Sequence, residues 1–293
     1  MKTYLKLLVV MLIWGGTFTS ARLLGGELEP AVSAFLRFLI ASVVLLLLLY
    51  FKEGGFPRVT RKQFVPLLGM GLTGIAMYNL FFFYALANAE AGRGALITAT
   101  NPLIVAVFAA FVFKEKFTPV RVVGFVLCVI GVVLIISRGD VLSLMQNGIG
   151  WGELAFLGCA FGWAIYTLIG RFISDQFSSL AIIAYSSSFG TVILFFVALN
   201  SDLLGAVSQL NFNASANLLF LSLLGTVVGF VWFQDGVKAL GAAKAAVFIY
   251  FMPVSAVFWA YIILGEEFTM LLALGAVLVI SGIYLVNKKE SAQ

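Results

Sequence analysis

The chain of 293 residues contains no histidine, only two cysteines and only 11% charged residues. Without histidine it lacks the commonest metal ligand and the commonest general base, which argues against a zinc site or a histidine relay. Cys128 and Cys159 lie inside apolar runs, so we interpret them as small core residues rather than as part of a disulfide framework. We therefore expect no metal and no cofactor.

Hydrophobic residues make up 62% of the chain, against roughly 45–50% apolar and 25% charged residues in a typical soluble domain. A soluble fold of this size could not bury so much apolar surface, so lipid is the expected solvent for most of the chain. The net charge of +5 comes with no basic stripe interleaved with aromatic residues, so nucleic acid is not an expected partner. The first apolar stretch is too long for a signal peptide and is interpreted as a retained membrane span.

Apolar runs of about 20 residues, the length needed to cross a bilayer, recur along the whole chain. They predict an all-α integral membrane protein with ten transmembrane helices and short loops. The predicted spans are 4–24, 31–51, 64–87, 92–113, 119–137, 149–171, 178–199, 215–238, 243–264 and 269–287.

The distribution of basic residues predicts the orientation. With the amino terminus in the cytoplasm, fourteen of the 18 Lys and Arg residues fall in cytoplasmic segments. Such a bias is typical of membrane proteins and favours an even number of spans with both termini inside.

The chain repeats itself. Residues 91–135 align without a gap on residues 242–286, with identities at twelve positions that include Pro102/Pro253, Glu115/Glu266 and Thr118/Thr269. The spacing of Trp14 and Arg22 also recurs in Trp163 and Arg171.

Two repeats follow from this alignment, over residues 1–140 and 141–293, with five spans each. Because five is odd, the second repeat enters the membrane from the opposite side, which is the inverted-topology device of secondary transporters.

The two repeat sequences are specific enough to indicate a family. The segments "YALANAEAGRGALITATNPLIVAVFAAFVFKEKFT" and "GVKALGAAKAAVFIYFMPVSAVFWAYIILGEEFT" resemble the EamA family within the drug/metabolite transporter superfamily, as do "MLIWGGTFTSARLL" and "FLRFLIASVVLLLL" near the amino terminus. The resemblance covers nearly the whole chain. It implies a ten-helix inner-membrane protein that exports or exchanges small organic metabolites, such as amino acids or related compounds.

Other functions fit the sequence less well. The chain has no P-loop for ATP hydrolysis and neither a G-x-S-x-G serine nor clustered acids for a membrane enzyme, so we expect no enzyme activity. Among transporters, the alternative is a multidrug or toxic-cation exporter of the same fold. Such an exporter would bind its substrate with aromatic residues and one acidic residue, whereas an amino-acid carrier needs hydrogen-bond donors for the carboxylate of its substrate. The sequence leaves open proton coupling and whether the protein is a monomer or a homodimer.

Pro102 and Pro253 fall within spans four and nine. Each is expected to kink its helix and to free the carbonyl four residues earlier, at Thr98 and Ile249, so that the two bent helices line one cavity. Polar and aromatic residues inside membrane spans usually face protein or water, although they also serve packing and helix contacts. The resulting candidates for lining the cavity are Trp14, Thr17, Tyr78, Asn79, Thr98, Asn101, Trp163, Tyr166, Trp232, Gln234 and Tyr250.

Five charged residues need individual explanations. Arg37, two turns inside span two, is expected to brace neighbouring helices, with binding of an anionic substrate group as the alternative. Asp235 could carry a coupling proton, but an interfacial ion pair with Lys238 is the favoured interpretation. For Glu153, at the start of span six, the same two roles are considered, and a structural role at the membrane interface is favoured. For Glu266, as for Glu115, we expect a role in capping the next helix, with the following threonine as N-cap.

Overall fold

The structure, a computed structural model, describes residues 2–101, 104, 119–137, 149–173, 175–240, 248–249 and 251–287. Within these ranges every regular element is a helix. In chain order the helices are α1 (Lys2–Leu24), α2 (Pro30–Glu53), α3 (Arg61–Asn88), α4 (Ala91–Thr98), α5 (Pro119–Ser137), α6 (Trp151–Ile173), α7 (Ser179–Ala198), α8 (Leu203–Ser208), α9 (212–240), α10 (Met252–Leu264) and α11 (Met270–Asn287).

Six of these helices, α1, α2, α3, α6, α7 and α9, are long and apolar enough to cross a membrane. They confirm six of the ten predicted spans as membrane-length helices. Helices α5, α10 and α11 contain shorter apolar stretches, at Val122–Ile135, Met252–Leu264 and Met270–Gly282. The predicted fourth span begins as α4, and most of the remainder lies outside the described residues.

Local sequence signals set several helix ends. Pro30 occupies the first turn of α2, and Gly54 ends that helix in the left-handed conformation at φ 73°. Thr60 and Gln63 form a capping box at the start of α3. The Thr269 hydroxyl accepts the Leu272 N–H at 3.1 Å, so the predicted threonine cap of the last helix is confirmed.

Two of the long helices contain a π-helical segment, which the sequence did not predict. The segments are Gly71–Met77 in α3 and Phe220–Val228 in α9, and a third, shorter one ends α10 at Ala260–Leu264. A π segment widens the helix and is frequently found at functional sites. In α9 the Thr226 hydroxyl donates to the carbonyl of Leu221, five residues earlier, and so satisfies an acceptor inside the widened turn.

Glycines bring helices α5 and α11 into direct contact. A Cβ built on Gly282 would lie 2.5 Å from the Gly124 carbonyl oxygen, and one on Gly131 would lie 2.9 Å from that of Gly275. The seven-residue glycine spacing of both helices therefore serves a contact within one chain. Elsewhere α2 packs on α7, α3 on α6, and α1 on both α9 and α10.

The expected proline kinks take a different form. Helix α4 ends at Thr98, and residues 99–100 form a turn in which the Thr100 N–H donates to Ile97 at 3.1 Å. Pro253 lies in the first turn of α10, after a turn at Phe251 whose N–H donates to Phe248 at 2.9 Å. The prediction of a mid-helix kink at Pro253 is thus wrong: a proline lacks an N–H but fits a helix start, so the chain stops and restarts just before it. Pro102 lies outside the described residues.

The bundle has two ends, each identified by side-chain contacts. At the Glu266 end, Glu266 contacts the start of α4, and the Asn211 side chain donates to Glu27 at 2.6 Å. At the Lys6 end, Lys6 pairs with Asp235, and the Gln63 side chain donates to Gln176 at 3.1 Å.

Candidate functional site

Aromatic side chains from four helices meet near the middle of the bundle. Trp163 of α6 stacks on Tyr166 at 5.0 Å between ring centroids and on Phe230 of α9 at 5.9 Å, and Tyr78 of α3 lies 5.6 Å away at a tilt of 57°. Trp14 of α1 joins through Phe230, edge to face at 5.7 Å. We call Trp14, Tyr78, Trp163, Tyr166 and Phe230 the aromatic cluster.

The aromatic cluster is only half-buried, although it lies on helices in the centre of the protein. Trp14 and Trp163 each lie close to the midpoint of their helix, α1 and α6. Each ring therefore keeps some exposed surface at that depth. Flat aromatic surfaces of this kind are suited to contact an apolar part of a ligand.

Two polar side chains hold a buried arginine beside this cluster. Arg37 of α2 is 7% exposed; its Nε donates to the Thr226 hydroxyl at 3.2 Å and its Nη1 to the Asn79 side-chain oxygen at 3.1 Å. Asn79 in turn donates to the Ile75 carbonyl, within the π segment of α3. Arg37 therefore joins α2 to α3 and α9.

The guanidinium of Arg37 has no acidic partner in the part of the chain that the structure describes. Its Cζ lies instead over two rings, 5.3 Å from the centroid of Phe38 and 5.9 Å from that of Phe82. Phe82 also stacks on Tyr78, with 5.8 Å between the ring centroids, so Phe82 connects the Arg37 guanidinium to the aromatic cluster.

The π segment of α9 contacts both Arg37 and the aromatic cluster. The indole N–H of Trp14 donates to the Gly225 carbonyl at 3.0 Å, next to Thr226, which receives the Arg37 bond. A Cβ on Gly225 would lie 2.7 Å from the Thr17 methyl group and 3.8 Å from Nη2 of Arg37. Because Gly225 has no side chain, both α1 and the Arg37 guanidinium can approach α9 at this residue.

The structure places the remaining candidates elsewhere. Thr98 donates to carbonyls of its own helix, and the Asn101 amide donates to the Ala160 carbonyl of α6 at 2.8 Å. Trp232 lies at the Lys6 end, where the Lys6 ammonium sits 5.4 Å from its ring centroid. The Gln234 side chain and Tyr250 lie outside the described residues, so neither expectation is tested.

The charged candidates near the helix ends form ion pairs. Asp235 pairs with Lys6 at 3.6 Å, and both side chains are about half exposed. The partner is thus Lys6, where we expected Lys238, whose side chain is not described. Glu153 pairs with Arg93 at 3.5 Å, which gives this carboxylate a structural partner.

Glu266 caps a helix of the other half of the sequence, contrary to the expectation that it would cap the next one. Its two carboxylate oxygens accept the backbone N–H groups of Ala91 at 2.7 Å and Gly92 at 2.9 Å, at the start of α4. The helix that follows is capped by Thr269, so the carboxylate is free to bind where the positive end of α4 attracts it. Glu115 lies outside the described residues.

Glu266→Gln is expected to lower thermal stability more than Glu267→Gln. An amide has one acceptor oxygen where the carboxylate has two, so one N–H of α4 loses its partner at a cost of about 1–2 kcal/mol. The neighbouring Glu267 is exposed and provides a control with the same chemical change. Unfolding of both variants in detergent measures the difference, and equal midpoints would contradict the capping role.

Sequence reasoning missed two residues of this site. Phe230 is one of 29 phenylalanines, and nothing in its local sequence distinguishes it. Thr226 could have been noticed, since it is a polar residue within an apolar span, but its partner Arg37 is 189 residues away in the chain.

Comparison with known proteins supports a transporter. The sequence profile of the EamA-like transporter family matches residues 1–137 and 150–288. The uncharacterized transporter YyaM of Bacillus subtilis is 30% identical over 280 residues, covering 96% of this chain and 92% of its own length. An uncharacterized transporter of Archaeoglobus fulgidus is also 30% identical, over 99% of this chain and 98% of its own.

A solved crystal structure is similar in fold, with a TM-score of 0.66 and 20% identity over 97% of both chains. At that identity the likeness concerns the fold alone. The family profile and the curated relatives both extend over nearly the whole sequence. This chain therefore belongs to the EamA-like transporter family, as a multi-pass membrane protein.

Proposed function

We propose that this protein is a secondary transporter of the inner membrane that exports or exchanges small organic metabolites by alternating access between two inverted five-helix repeats. The observation that carries the proposal is the aromatic cluster with its buried arginine, which is built from helices of both halves. Amino acids or related compounds are the proposed substrate class, because the site combines flat apolar walls with a group that can bind a carboxylate.

The backbone supports the repeat at the two helix breaks. The Thr100 N–H donates to Ile97 and the Ile104 N–H to Thr100. The Phe251 N–H donates to Phe248 and the Ser255 N–H to Phe251, which is the same pattern 151 positions later. Corresponding interrupted helices in two halves are the feature that points to a transporter's binding site.

The packing of the helices supports it as well. In the proposed repeat, α1 to α5 of the first half correspond in order to α6, α7, α9, α10 and α11 of the second half. The contact between α3 and α6 then corresponds to that between α9 and α1, and the contact between α4 and α6 corresponds to that between α10 and α1. Each of these contacts is present. Two of the three described π segments also fall in corresponding helices, α3 and α9.

Two halves that share one pocket can expose it alternately to either side of the membrane. In the proposed orientation the Lys6 end is cytoplasmic, as the positive-inside bias favours, and both termini lie on that side. The Glu266 end then faces outward, where Glu266 of the second half holds α4 of the first. Release of that contact would open the pocket outward.

The alternative substrate, a lipophilic cation, fits the charge of the site poorly. Such a ligand needs aromatic surfaces, which are present, and commonly an acid, but the charge beside the aromatic cluster is a buried guanidinium. A positive ligand would meet a positive wall without a described carboxylate to balance it.

Transport by the purified protein in liposomes tests the proposed function. We expect saturable uptake of at least one class in a panel of amino acids, nucleobases and quaternary cations, measured with and without a pH gradient. Trp163→Leu should reduce that uptake by about tenfold or more, because it removes the central ring of the aromatic cluster. Trp151→Leu, at a 76% exposed position on the same helix, is the matched control. Uptake of none of these solutes above that of empty liposomes would refute the function.

A further inference from the structure

We infer that the substrate of the proposed transporter carries a carboxylate that binds the free edge of Arg37 while its apolar body lies on the aromatic cluster. The inference rests on the proposed function and assigns a binding role to one residue of that site. The arginine that braces α2, α3 and α9 would thus also read the charge of the substrate.

The hydrogen bonds of Arg37 leave part of its guanidinium unused. The group has five N–H donors. One on Nε donates to Thr226 and one on Nη1 to Asn79, so three remain, including both on Nη2. Among the described residues no hydrogen bond from Nη2 is found, so this edge of the guanidinium is available to a ligand.

The position of Nη2 relates this free edge to the aromatic cluster. Nη2 lies 3.8 Å from the position that a Cβ on Gly225 would take, so the guanidinium approaches α9 at this glycine. The carbonyl of the same glycine holds the Trp14 indole. A carboxylate bound at Nη2 would therefore have Trp14 next to it, and a flat body attached to that carboxylate would extend along the rings.

Electrostatics favours an anion at this point. A charge inside a membrane helix costs about 2.5–3.5 kcal/mol on insertion scales, unless it finds a partner or reaches the interface. Arg37 has neutral hydrogen-bond acceptors and two neighbouring aromatic rings, and no described carboxylate pairs with it. A ligand carboxylate would complete the missing ion pair, and charge-assisted bonds to a planar fork are among the strongest that a carboxylate can form.

Matched acids and amides test the inference by binding to the purified full-length protein. The probes are 3-phenylpropionate against 3-phenylpropionamide, and phenylalanine against phenylalaninamide, which keep the ring and change the carboxylate. Tryptophan fluorescence reports binding, since Trp14 and Trp163 belong to the cluster. We expect the wild type to bind each acid about tenfold to a hundredfold more tightly than its amide.

Variants of Arg37 assign that preference to the guanidinium. Arg37→Gln should bring the ratio of acid to amide affinity close to one, and Arg37→Lys should give an intermediate ratio, because an ammonium keeps the charge but not the fork. Arg22→Gln is the control, since Arg22 donates to the Leu86 carbonyl at the Glu266 end. Unfolding midpoints measured without ligand show which variants are folded. The ratio of acid to amide affinity of the wild-type protein tests the inference even if a variant does not fold.

Three results would overturn the inference: no binding of either acid, equal binding of acid and amide by the wild type, or a preference that Arg37→Gln leaves intact. Liposome transport separates this failure from that of the proposed function. A protein that carries neutral or cationic solutes without competition from the acids would remain a transporter and would lack the carboxylate site.

Discussion

Oxidation of a Gly92→Cys/Val257→Cys variant is expected to stop transport, and reduction to restore it. A Cβ on Gly92 would lie 3.6 Å from the Val257 Cα and 3.4 Å from its Cγ2, which is close enough for a disulfide between α4 and α10. In the proposed mechanism these helices belong to different halves, and the halves must separate for the pocket to open outward. We expect transport to fall by more than about tenfold on oxidation.

The experiment needs a protein without its native cysteines and a control cysteine pair. Cys128 and Cys159 are buried, and each thiol donates to a backbone carbonyl, so serine can replace them with its hydroxyl in the same bonds. A Gly25→Cys/Ala87→Cys pair supplies the control. A Cβ on Gly25 would lie 3.4 Å from that of Ala87, and both residues belong to the first half.

The control disulfide should leave transport unchanged, because in the proposed mechanism the two residues that it joins belong to one half and move together. The single-cysteine variants should not respond to oxidant. If the α4–α10 disulfide forms and transport continues at the rate of the reduced protein, the two halves do not separate at this contact, and rocking of the repeats as proposed here is excluded.

The membrane spans could be predicted from the sequence because hydropathy depends on local composition. A run of about 20 apolar residues is visible without knowledge of its neighbours, and six such runs are membrane-length helices in the structure. The threonine cap at Thr269 is equally local. The partner of Glu266 was not predictable in this way, because Ala91 lies 175 residues earlier and is paired through its backbone.

The π segments escaped prediction for a different reason. A shift from one hydrogen-bond register to the next changes the backbone without changing the apolar composition that reveals a span. Asn79 and Thr226 were consequently visible only as polar residues in membrane helices, and only Asn79 was among the candidates. In the structure Thr226 lies within a π segment and Asn79 lies just after one, and both side chains accept hydrogen bonds from Arg37.

The helix breaks show how a correct signal can lead to an incorrect local structure. Prolines at corresponding positions of the two repeats pointed to two special places in the chain. The expectation of a bent but continuous helix assumed that the preceding turn stays helical. In the structure the turns before the prolines instead form hydrogen bonds three residues apart, at Thr100 and Phe251, so the interruption precedes the proline.

Gly282→Val is expected to destabilise the protein severely, whereas Ser281→Val on the same helix should have little effect. A Cβ on Gly282 would lie 2.5 Å from the Gly124 carbonyl oxygen and 2.8 Å from the Cys128 backbone nitrogen. These are backbone atoms of α5, so no side-chain rotation can relieve the clash, and the two helices must move apart. Overpacking of this kind costs about 1–3 kcal/mol or more.

The expected decrease in the unfolding midpoint is roughly 5–10 °C, measured on the purified protein in one detergent. Ser281 is exposed, so valine there adds an apolar side chain on the outer surface of the bundle and serves as the matched control. Because membrane helices gain little from burying apolar surface against each other, close backbone approach supplies much of the attraction between them. An unchanged midpoint for Gly282→Val would mean that α5 and α11 do not meet along this glycine seam.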